Sequence, residues 1–110
     1  MGRARQDYLD LFRRLEDAGV REVVFCGVDE VAEVAYLSLQ ETGVKLVAVM
    51  DDGRQGELFF GLPVVGLAEG IRAYGAPVVI SSLKRRDELT QTLRGLGVTA
   101  AKIFIAGATE

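Results

Sequence analysis

The residues able to do chemistry gather at turns. Gly27-Val28-Asp29-Glu30 follows one apolar run, Asp51-Asp52 ends a second, and Ser81-Ser82 ends a third, with Lys84, Arg85 and Arg86 just beyond. Four acids on one rim could hold Mg²⁺, which takes carboxylates and waters. Acids at turns and helix starts more often cap backbone amides, so no metal site is expected. Cys26 is the sole cysteine and the chain has no histidine. No side chain of the usual type can activate the thiol, and the residue at the phosphatase-loop arginine spacing is Ala32. A cysteine in an apolar strand behaves as a small hydrophobe. Without histidine the commonest general base and metal ligand is gone. No nucleophile–base pair remains, so no catalytic residue is assigned.

The six residues Gly27 to Ala32 sit between a strand and a helix, where a dinucleotide-binding turn reads G-x-G-x-x-G/A. The first glycine makes the turn, the second admits the pyrophosphate, and the third lets helix and strand pack closely. Here the first position is Gly27 and the third is Ala32, but the second is Asp29. Its carboxylate adds bulk and, with Glu30, negative charge at the helix end that should attract anions. Like charges about 4 Å apart cost roughly 4 kcal/mol at partly screened dielectric. Tight dinucleotide binding in the usual pose is therefore not expected. Asp51 lies near the ~20-residue offset of an acid that takes a ribose hydroxyl; it equally suits an Asp-Asp-Gly turn. Ser81 and Ser82 could contact a ligand hydroxyl or phosphate, or cap the helix that follows. The basic run from Lys84 to Arg86 reads as a charged helix face.

These turns need elements to position them. Tyr8, Leu11, Phe12 and Leu15 make one apolar stripe of a helix over 6–18, with Gly19 as its stop. That helix covers one side of the sheet, serves dimerisation, or is the tail of a connector to another domain. Val23 to Cys26 is a continuous apolar run, as in a strand buried on both faces. A helix follows, capped by Asp29 and ending at Gly43. The second strand covers 44–50. Residues 54–57 read as a mobile loop, and 61–66 as a short strand placed at a sheet edge by Pro63. A helix over 67–74 is weakened by Gly70. The remaining elements are a strand at 78–81, a helix from 83 or 84 to 94, a strand at 103–106, and a tail over 107–110. Strand and helix alternate, which predicts one α/β domain over 1–110. Its architecture is a Rossmann-like three-layer sandwich with about five mostly parallel strands in the order 3-2-1-4-5. An extra helix (1–19) precedes the 21–106 core.

Length and charge bound the rest. The chain has 110 residues, 49% hydrophobic and 26% charged, with a net charge of −3. One domain of this size can bury a single core. The acidic balance argues against direct nucleic-acid binding, which needs a basic face. No run is long enough to span a bilayer and no signal peptide is evident. A lone cysteine gives no disulfide, so the expected location is cytoplasmic.

Several stretches carry a family likeness: GVDEVAEVAYLSLQETG, LVAVMDD, FFGLPVVGL and VVISS. Together they resemble the Rossmann-like, NAD(P)- or CoA-binding-like domain that begins bacterial sugar-nucleotide acyltransferases and polysaccharide-biosynthesis dehydratases. They are closer still to a similar module joined to winged-helix, MarR-type regulators in bacteria. The likeness runs from about Arg21 to Ala106 and is most specific at Asp51-Asp52 and from Gly61 to Gly66. It implies a nucleotide, sugar-nucleotide or CoA-like ligand, or a sensory role beside a DNA-binding domain. The resulting expectation is a non-catalytic ligand-sensing or accessory module, tied to transcriptional regulation or polysaccharide biosynthesis. The alternatives are a nucleotide- or sugar-nucleotide-binding domain of an enzyme and a structural oligomerisation domain. No cofactor is required, a nucleotide is compatible, and a homo-oligomer or protein partner is expected. The candidate ligand-binding residues are Gly27, Val28, Asp29, Glu30, Asp51, Asp52, Ser81 and Ser82.

Overall fold

A computed structural model describes residues 2–107. Of the expected tail only Gly107 is among them; 108–110 lie outside the described residues. The fold is α/β, with a six-stranded, mostly parallel sheet and four helices.

The chain opens with α1 (Gly2–Asp17), then β1 (Glu22–Cys26), α2 (Glu30–Leu39) and β2 (Lys45–Met50). A 3-10 turn at Asp52–Arg54 leads to β3 (Leu58–Phe59) and β4 (Leu62–Val65). The rest is α3 (Leu67–Ala73), β5 (Val78–Ile80), α4 (Arg86–Gly95), a second 3-10 turn (Ala100–Lys102) and β6 (Ile103–Ile105). The sheet order is β3-β4-β2-β1-β5-β6. β1 runs parallel to both β2 and β5, with Cys26 opposite Met50 and Ile80.

The expected five-strand order is altered by one added strand. Leu58–Phe59 pairs antiparallel with β4 and takes the sheet edge. The strand holding Pro63 is therefore second from the edge. Its missing donor does no harm there. Pro63 stands opposite Leu58 in the hairpin, while pairing with β2 begins only at Val64. Nor is the 54–57 segment a free loop. Gly56 N–H donates to Val64 O at 2.9 Å, and Val64 N–H to Glu57 O at 2.8 Å.

Alternation along β1 divides the core. Val23 and Phe25 face Phe12 of α1 and Val31 and Leu39 of α2. Val24 and Cys26 face Leu67 of α3 and Leu89 and Leu93 of α4. The stripe expected on the first helix, Tyr8, Leu11, Phe12 and Leu15, is buried within this chain and packs in the core that covers the sheet. Gly70 is no mere weakness in α3. A Cβ there would lie 2.4 Å from the Met50 sulfur, so the glycine lets α3 approach β2 closely. Among the described residues no helix is long and apolar enough to cross a membrane.

Candidate functional site

The chain adds β2 and β4 on one side of β1, then crosses to place β5 on the other. In open α/β sheets a ligand crevice forms outside the strand carboxyl ends at such a reversal. Here the rim is built by the segments after β1, β2 and β5, and those segments hold all eight candidate residues.

The turn after β1 is pressed against the segment after β5. Gly27 has φ +105°, a conformation that L side chains avoid. A Cβ on it would lie 2.8 Å from Ser82 Cβ and 2.9 Å from Leu89 Cδ1. Both the conformation and the space demand glycine. The Ser81 hydroxyl donates to Gly27 O at 2.6 Å, and Tyr8 of α1 donates its phenolic O–H to Ile80 O at 2.8 Å. The space beside the Gly27 backbone is filled by Ser82 and Leu89.

Every acid on the rim except Glu30 is used internally. Asp29 caps α2, accepting from Val31 N–H at 3.3 Å, and its other oxygen accepts the Ser82 hydroxyl proton. Ser82 Oγ in turn accepts from Arg85 N–H at 3.1 Å. Asp52 accepts from Leu67 N–H at 2.9 Å, capping α3 from across the turn. Asp51 is buried. One of its oxygens accepts from Val28 N–H at 2.8 Å and the other from Gly53 N–H at 3.0 Å. The Arg85 guanidinium completes the shell with bonds of 2.8 Å and 3.3 Å. It also stands 3.9 Å from Asp29.

Burial alone would push the Asp51 carboxyl up. The Arg85 bonds and the two backbone amides outweigh that and hold it below the ordinary value of 3.8. Bonding to Asp51 raises the guanidinium of Arg85 in turn. Cys26 is fully buried beneath this network, and desolvation pushes its thiol up to about 12. A thiol so buried is a packing group rather than a nucleophile. Among the described residues no group of three or more His, Cys, Asp or Glu is arranged to hold a metal ion.

Arg85 is the member that sequence reasoning misses, since the run from Lys84 to Arg86 reads as a charged helix face. A signal was present. Three consecutive cations at a helix start oppose the helix dipole, a pattern that favours an acid nearby. The ion pair nevertheless joins residues 34 positions apart, and no local pattern shows that.

Beside the network lies an open cavity of about 320 Å³ between the start of α1, the first turns of α2 and the segment after β5. Of the candidate residues only Asp29 and Glu30 line it, together with Leu83 and Lys84 from the segment after β5. No protein-family model matches the chain, and no curated protein matches it significantly.

Proposed function

We propose that this chain is a non-catalytic, Rossmann-like module that senses a small ligand or serves a partner protein as an accessory. Its setting is transcriptional regulation or polysaccharide synthesis, as the likeness at Asp51-Asp52 and Gly61 to Gly66 implies. The reading is carried by one observation. The polar groups at the strand reversal satisfy one another: Asp51 with Arg85, Asp29 with Ser82, and Ser81 with Gly27 O. A nucleotide in the usual pose would have to break those pairs and meet the Asp29 carboxylate at the end of α2. The neighbouring cavity is open and within the size range of small-molecule pockets.

A thermal-shift screen tests this. NAD, NADP, CoA, ATP, UDP-sugars and Mg²⁺ form one arm, and small uncharged, anionic and zwitterionic metabolites the other. Free ligand at a hundred times its Kd adds about 2.7 kcal/mol of stability. The expected result is no rise with the nucleotides and a rise with a member of the second arm. A nucleotide-specific rise would replace this reading with that of a nucleotide-binding domain.

A further inference from the structure

We propose that the cavity at the start of α2 binds an aliphatic zwitterion, an α-amino acid with a branched hydrocarbon side chain. The inference rests on the ligand-sensing reading and names the class of ligand. Size is the first argument. A volume of about 320 Å³ is at the small end of ligand pockets, which suits a metabolite and not a dinucleotide.

The walls are the second argument. Ala4, Val31, Val34 and Leu83 are aliphatic, and among the described residues no aromatic ring lines the space. A nucleobase would find no stacking platform, whereas a branched alkyl group would find matching surface. Leu83 is 60% exposed. A hydrocarbon lodged against it removes apolar area from water.

Charge is the third. Asp29 is already committed to Val31 N–H and Ser82. Glu30 and Lys84 also line the cavity, and neither forms an ion pair among the described residues. One carboxylate and one ammonium, carried by two different elements of the lining, complement a ligand with one cation and one anion. The ligand ammonium pairs with Glu30, its carboxylate with Lys84, and its side chain lies along Val31, Val34 and Leu83. Glu30 belongs to α2 and Lys84 to the β5–α4 segment. The bound amino acid therefore bridges two elements that already meet through Asp29 and Ser82.

Isothermal titration calorimetry on the full chain tests this with L-leucine, L-leucinamide, 4-methylpentanoate and glycine. Leucinamide lacks the carboxylate, 4-methylpentanoate the ammonium, and glycine the hydrocarbon. Leucine is expected to bind, and each analogue to bind at least tenfold more weakly. In Glu30→Gln the preference for leucine over 4-methylpentanoate disappears; in Lys84→Met the preference over leucinamide disappears. Both substitutions are on exposed side chains, so the fold is retained, as circular dichroism will verify. Leucine that binds equally to wild type and both variants overturns the assignment. If leucine is silent while another metabolite raises the melting temperature, the inference fails and the sensing reading stands. If no small molecule does so, the inference and the ligand-sensing half of the reading fail together, which leaves the accessory half.

Discussion

Arg85, the residue before α4, grips Asp51 at the end of β2 through two bonds of 2.8 Å and 3.3 Å. The pair ties the two sides of the strand reversal together above β1. With the Ser81–Gly27 and Ser82–Asp29 bonds it closes the rim.

Removing Arg85 leaves a buried carboxylate without its counter-charge, and removing Asp51 leaves a half-buried guanidinium without one. Asp51→Asn is expected to lower stability by about 3 kcal/mol, the low end for a broken buried pair, since Arg85 remains partly in water. The effect depends on pH. The folded-state pKa of Asp51 lies below its ordinary 3.8. Its contribution is therefore present above that value and is lost as pH falls through the folded one. Urea unfolding of wild type and variant across the acid range checks this. The wild-type curve should fall more steeply below about pH 4; parallel curves would contradict the assignment.

Asp29 places a carboxylate where a helix start would otherwise receive an anion. Asp29→Gly should cost about 1 kcal/mol, a few tenths for the cap and the rest for the Ser82 bond. It should also give the variant a rise in melting temperature with sulfate or ADP beyond that of the wild type. Equal anion responses would show that Asp29 does not occupy an anion position.

Phe60 and Gly61 form the two-residue turn between β3 and β4, both with positive φ, +47° and +86°. Such turns favour Asn-Gly. Phe60 is retained there with its ring stacked on Tyr36 at a centroid distance of 4.0 Å. Phe60→Ala loses the stacking and leaves the backbone strained, for an expected cost of about 1 kcal/mol. Phe60→Asn also loses the stacking but suits the turn, so its cost should be smaller. Chemical denaturation of both variants gives the order, and a reversed order would remove the argument.

The Cys26 thiol, pushed up to about 12 by burial, should resist a disulfide reagent in the native protein at pH 8 and react once urea unfolds the chain. A native-state reaction as fast as that of the unfolded chain would mean that the β1 end is open.

Much of this arrangement was legible in the residues. Val23 to Cys26 and the run to Met50 are apolar enough to name buried strands, and Asp29 before Val31 reads as a cap. Leu58–Phe59 escaped notice because two residues show no period and Phe60-Gly61 is an unusual hairpin turn. Gly70 looked like a flaw in a helix, because its reason is Met50 on a different element. At the rim, residue types were visible but pairings were not. Asp51 read as a ribose ligand or a turn former, and only the arrival of Arg85 from beyond β5 shows its oxygens fully engaged.

The strand order carries a kinetic consequence. β1 meets β2 after one short helix, but meets β5 only after β3, β4 and α3 have intervened. Closing the longer loop costs more entropy before any contact offsets it. The α1–β1–α2–β2 half is therefore expected to form the nucleus, with β5 and α4 docking afterwards. Val49→Ala should accordingly slow refolding, whereas Leu93→Ala should chiefly hasten unfolding, a distinction that stopped-flow rates resolve. The Asp51–Arg85 bond would then be a latch that shuts after the transition state, setting how long the native fold persists rather than how fast it is reached.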